Sequence, residues 1–264
     1  MEFLRVAKRR SFLSEVVYVL LNLALAGAVL GAVVTTGTPW LAIALVLLSK
    51  WRVLAVRPRF WLAHIETNTV DLLTSIGLVL LMYLVGQSGS RAALTVQIVL
   101  AVLYALWLLV LKPRGKRVYV VLQAAVAIVV STMALASLSY SWSSSIVVII
   151  MWVIGYASAR HVLSAYSEPN VRLLGLIWGF VFAEIGWLCF HWMIAYTLPF
   201  AAGLKLPQVT VIAIALSFLA ERVYASYAKH DKVQVSDILL PLLLSLGIIA
   251  VLVLFFNNAA IGAS

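Results

Sequence analysis

The chain has 264 residues, 64% of them hydrophobic and only 11% charged, against roughly 45–50% and 25% in soluble domains, which excludes a water-soluble globule. Nineteen Lys and Arg against nine Asp and Glu give a formal net charge of +10. The basic residues fall between apolar runs, where they meet anionic head groups and fix orientation, so the charge calls for no nucleic-acid partner.

Apolar runs between polar breaks predict an all-α, polytopic membrane helix bundle, a single transmembrane domain over residues 1–264. Its nine spans lie near 12–34, 39–56, 62–86, 92–111, 117–138, 142–161, 172–197, 207–227 and 236–256. Runs of this length lack the alternation of a barrel strand, and lipid leaves the backbone no partner outside a helix.

The first run follows a basic stretch, and Ala24-Leu25-Ala26 imitates a signal-peptidase site. The run nevertheless continues to Val34, which is span length rather than the length of a signal core, so it is expected to stay. Gly27 and Gly31 form a GxxxG in it, suited to close helix packing. The second run is clean only from Pro39 to Ser49, before Lys50 and Arg52. A re-entrant hairpin there would leave the neighbouring basic clusters on opposite faces. The expectation is therefore a true crossing, with Lys50 and Arg52 snorkelling to the interface.

In the third run His64, Asn68, Asp71 and Ser75 fall within about 60° at helical spacing. The stripe could line a water-filled vestibule, or it could be a contact in which Asp71 pairs with Arg57 or Arg59. Glu66 points away from it. Gln97 and Gln123, like Asn22 in the first run, read as interhelical hydrogen-bonding amides.

The seventh run carries Glu184, about 12 residues and roughly 18 Å along the helix from Arg172, near the middle of a bilayer. A carboxylate there is expected to face the protein interior. It would be a proton- or substrate-binding group, or a hydrogen-bonded carboxyl holding a neighbouring helix. His191 shares its face, beside Trp187, Trp192 and Tyr196. Gly175, Gly179, Ala183 and Gly186 form a smooth strip nearly opposite. With needs on both faces, this helix is expected in the middle of the bundle. In the eighth run Glu221 and Arg222 read as an ion pair.

Counting basic residues on alternate sides puts seventeen, from Arg5 to Lys232, on one side and only Arg91 and Lys205 on the other. The positive-inside rule makes the N-terminus cytoplasmic and the C-terminus external. The loops are too short for a folded domain. No phosphate loop, HExxH or GxSxG occurs, and no lysine sits mid-span for a retinal Schiff base. The single cysteine, Cys189, excludes a disulfide and a cysteine metal cluster, and Glu184 with His191 makes too small a ligand set for zinc. No metal and no cofactor are expected.

Four stretches, Ser49-Lys50-Trp51-Arg52-Val53-Leu54-Ala55-Val56-Arg57-Pro58-Arg59-Phe60-Trp61, Met151 to Leu163, Phe182 to Trp192 and Phe218 to Tyr227, resemble an uncharacterised family of polytopic membrane proteins from candidate-phylum, Saccharibacteria-like bacteria. The resemblance implies a cytoplasmic-membrane location and transfers no catalytic residue. The functional expectation is a small transporter or permease-like bundle with Glu184 as its midplane carboxylate and the third-run stripe as an inner access route. The alternatives are a membrane scaffold or subunit of a larger complex, and a membrane-embedded enzyme acting on a lipid or lipid-linked substrate. Expected partners are anionic lipids at the cytoplasmic face and a membrane-protein partner or second copy.

Overall fold

A computed structural model describes residues 12–51, 57–192, 194–198 and 204–256; Arg5, Lys8, Arg9, Arg10 and Arg52 lie outside the described residues. The elements are α1 (Phe12–Thr36), α2 (Trp40–Ser49), α3 (Trp61–Gly86), α4 (Arg91–Leu106), which runs into a π-helical turn (Trp107–Leu111), α5 (Arg117–Leu138), α6 (Ser144–Ser164), α7 (Val171–His191), α8 (Gln208–His230) and α9 (Val235–Phe255). Among the described residues eight of these, all but α2, are long and apolar enough to cross a membrane.

The second of the nine expected spans differs most. α2 has ten residues, about 15 Å of helix against a hydrocarbon core of about 30 Å. It stops where Ser49 turns its hydroxyl back onto the Val46 carbonyl, 2.6 Å away, and Lys50 swings towards α3. Lys50 does not snorkel outward; its side chain is 13% exposed. The seventh span is also shorter than expected. It closes at His191, and Ala195–Thr197 then pairs antiparallel with Lys205–Pro207, Tyr196 opposite Leu206.

Two cores divide the bundle. One packs Val29, Val46, Val79, Met82, Tyr104 and Leu108 among α1 to α4; the other packs Ile128, Met151, Ile154, Phe182 and Ala213 among α5 to α8. α3 and α5 are the most enclosed spans, while α7 and α8 are half as buried and α9 lies almost wholly exposed. The expectation that α7 occupies the middle is therefore corrected: only one of its faces is covered. That face is the small-residue strip. A Cβ on Gly179 would come within 3.0 Å of the Trp152 carbonyl, and one on Gly155 within 2.6 Å of Phe182, so α6 and α7 approach to backbone contact. Gly175 meets Tyr156, Gly186 meets Met151, and Ala183 is buried in the same seam. The α1 glycines behave oppositely: nothing lies within 4 Å of a Cβ built at Gly27 or Gly31.

Candidate functional site: a buried Lys50–Asp71–Lys112 cluster

Asp71 sits ten residues into α3 and is 8% exposed. Its Oδ2 is paired with Lys50 at the tip of α2 and with Lys112 Nζ at 2.8 Å. Its Oδ1 accepts from Trp107 Nε1 at 3.0 Å. Both lone-pair regions of the carboxylate are thus used, each by a charged or strongly polar donor. The expected arginine partners are not used: Arg57 is exposed, and Arg59 stacks over the Phe60 ring at 4.6 Å.

The π-helical turn brings two of these donors together. Its wider coil lets Lys112 N–H reach the Trp107 carbonyl, 2.9 Å away, and leaves other carbonyls without their usual helical partners. Tyr18 of α1 donates to Leu108 O at 3.0 Å and Gln123 of α5 donates to Leu111 O at 2.6 Å, so neighbouring helices satisfy what the turn frees. His161 Nε2 lies 2.7 Å from the Gln123 side-chain oxygen, which carries the support on to α6. Turns of this kind recur at functional sites in helices.

One turn along α3 from Asp71, Ser75 is fully buried, and Tyr104 of α4 faces it within electrostatic reach of Asp71 and Lys112. Neither the Ser75 hydroxyl nor the Tyr104 hydroxyl completes a hydrogen bond of normal length. Two buried hydroxyls that face each other, with hydrogen-bonding capacity left over, therefore border the charge cluster. With both lysines protonated, the cluster carries one surplus positive charge.

The rest of the third-span stripe does not join this site. His64 is exposed, and Asn68 donates its amide to the His64 carbonyl at 2.8 Å, inside its own helix. Glu66, on another face, is ion-paired with Arg160 of α6 at 2.9 Å and with Arg172 at 3.7 Å. Gln97 donates across to Met82 O at 2.9 Å, whereas Asn22 bonds only to Tyr18 O on its own helix.

Glu184 is where expectation and structure part most. It is exposed on the outer face of α7, in line with Phe180, Trp187 and Leu188, each of which is also exposed. The physical reason is the glycine seam. Gly175, Gly179, Ala183 and Gly186 must face α6 for the two backbones to meet, and that turns the opposite face, Glu184 included, outward. His191 is exposed at the end of the same face, with its ring 4.9 Å from that of Trp187. The enclosed carboxylate is Asp71, not Glu184.

A second polar constellation lies where α5, α6, α7 and α8 diverge. Tyr166 donates to Glu221 Oε1 at 2.7 Å, Arg222 Nε is 3.3 Å from Glu221 Oε2, and the Arg117 guanidinium stacks 4.0 Å over the Tyr166 ring. Tyr224 donates to Glu168 in the loop between α6 and α7. That bond, with the Asn170 N–H at 3.0 Å, holds the Glu168 carboxyl below the usual carboxylate range.

Sequence reasoning had Asp71 and Ser75 but missed Lys50, Lys112, Trp107 and Tyr104. Lys50 carried a usable signal, since it ends the apolar run after too few residues for a crossing. The π-helical turn has no signature in the pattern of apolar residues.

No family model matches the chain, and neither the curated proteins nor the solved structures include a significant match.

Proposed function

We propose that this chain is a multi-pass protein of the cytoplasmic membrane, with the N-terminus inside and the C-terminus outside, that works as a small transporter or permease-like bundle. Its substrate- or proton-binding centre is the Lys50–Asp71–Lys112 cluster. The observation that carries this reading is a buried carboxylate held between two ammonium groups at the tip of a half-length helix. Helix arithmetic puts the tip of α2 about 15 Å from its start, and Asp71 about 15 Å from the start of α3 on the opposite side. Lys112 follows the full-length span Arg91–Leu111, so the cluster then falls between the midplane and the cytoplasmic end of the bundle. Intramembrane charges are costly and cluster along substrate and proton pathways, and helices broken at mid-depth are a recurrent way of building such sites.

In this reading α2 belongs to a ninth crossing, and the basic cytoplasmic loops meet anionic lipid. The surplus positive charge selects a small anion, with Ser75 and Tyr104 as spare hydrogen-bonding groups. The purified protein, reconstituted in liposomes holding a trapped pH-sensitive dye, tests it. A gradient of a small carboxylate or of phosphate should drive a pH change that Asp71→Asn removes. Wild-type liposomes that behave like empty ones across the anion panel, or an undiminished signal in Asp71→Asn, would sink the proposal.

The scaffold reading has one observation of its own: the Gly27–Gly31 strip is open on the bundle surface, as a helix of a partner or of a second copy would need. A loss of self-association in Gly31→Leu, with folding unchanged, would favour it.

A further inference from the structure

Between α5, α6, α7 and α8 lies a cavity of about 410 Å³, within the roughly 300–1,000 Å³ of small-molecule sites. Most of its wall is apolar, including Ala125, Ile128, Ile177 and Trp178; its polar groups, Ser158, Ser217, Glu221 and Tyr224, are few. Ile177 and Phe218, on its rim, are exposed on the outside of the bundle, so the cavity opens sideways between α7 and α8, towards the acyl region. Its residues lie near the start of α7 and α5 and towards the end of α6 and α8, which is the end of the bundle rich in Lys and Arg.

Its polar end is unfinished. The Glu221 side chain is 90% buried, with 10% exposure, yet its Oε2 has only the ion contact to Arg222 and makes no hydrogen bond; nor does the buried Ser217 hydroxyl one turn away. A buried carboxylate oxygen without a donor is expensive. A ligand that brings a donor to this oxygen and an apolar body to the cavity satisfies both features at once. Arg222 contacts the carboxylate and Arg117 stacks on the Tyr166 ring that donates to it; both are exposed and suit a phosphate beside that donor.

We propose that this cavity holds an acyl chain of an amine-bearing phospholipid, its ammonium on Glu221 Oε2 and its phosphate towards Arg117 and Arg222. The site is separate from the Asp71 cluster and stands whether or not the chain transports anything. No nucleophile paired with a base lines the cavity among the described residues, so the lipid is a ligand and not a substrate.

The test is native mass spectrometry of the whole protein, stripped of lipid in neutral detergent and offered equal amounts of phosphatidylethanolamine and phosphatidylglycerol. The wild type should retain one phosphatidylethanolamine in preference. Glu221→Gln should reduce that retention about tenfold, the loss of one charge-assisted hydrogen bond. Ala125→Phe, which fills the tail region, should abolish it at an unchanged melting temperature; if that variant does not fold, Glu221→Gln decides alone. Equal retention of the two lipids by the wild type, or full retention in Glu221→Gln, overturns the proposal. Retention of free dodecylamine where phosphatidylethanolamine is not retained overturns the lipid assignment in favour of a soluble amphiphile.

Discussion

Lys112 Nζ lies 2.8 Å from Asp71 Oδ2, and the same carboxylate is shared with Lys50 from a third element. Breaking a buried ion group by removing one member costs on the order of 3–5 kcal/mol, because the others are left uncompensated, whereas replacing the whole group by apolar residues is often neutral. Asp71→Ala should therefore destabilise the protein in detergent by about 3 kcal/mol or more and lower its melting temperature sharply. The triple variant Lys50→Met, Asp71→Leu, Lys112→Met should recover most of that stability yet remain inactive in the liposome assay. A triple variant as active as the wild type would make the cluster purely structural.

Trp107→Phe keeps an aromatic ring in the π-helical turn and removes the donor to Asp71 Oδ1 together with part of a buried indole, so the loss of the hydrogen bond sets a lower bound on the effect. A hydrogen bond to a charged acceptor contributes about 1.5–3 kcal/mol, and a destabilisation of at least that size is expected by chemical denaturation. No change would mean that the Asp71 carboxylate is satisfied by the lysines alone.

Tyr104→Phe separates packing from binding. Its hydroxyl is buried and faces Ser75 without a hydrogen bond of normal length, so deleting it should change the melting temperature little. If the hydroxyl waits for a ligand, anion-driven flux should fall at the same time; flux and stability both unchanged would remove Tyr104 from the site.

Glu184→Leu extends the exposed apolar face around Phe180, Trp187 and Leu188, and is expected to preserve folding, membrane insertion and flux. Loss of flux in this variant would restore Glu184 as a functional carboxylate. Gly179→Leu should by contrast be unable to fold, since its first side-chain carbon already meets the Trp152 backbone at 3.0 Å; Gly27→Ala should be silent.

The Glu168 carboxyl lies below its usual range because Tyr224 and the Asn170 N–H donate to it. A carboxyl depressed on folding adds stability above its unfolded pKa and loses it as pH falls through the folded one. Tyr224→Phe should therefore be less stable than the wild type at neutral pH and have a shallower acid limb, the two proteins converging at low pH. Coincident stability–pH curves would show that the bond contributes nothing in solution.

The composition and the length of the apolar runs alone determined the helical class and the positions of eight spans, because lipid permits little else to a segment of that length and apolarity. The α7 glycine strip was legible for a similar reason: residues that recur every turn must share a face. Which face of α7 meets protein was not legible. Sequence periodicity gives two opposite faces, and only the α6 backbone pressing on Gly179 decides that Glu184 is the one left outside. Asp71 could be placed on a stripe but not given its partners, since Lys50 reaches it from a helix cut short and Lys112 through a turn with an altered hydrogen-bond step. Those contacts join residues far apart in the chain. They exist because three elements are packed so closely that a carboxylate and two ammonium groups have only each other to replace water.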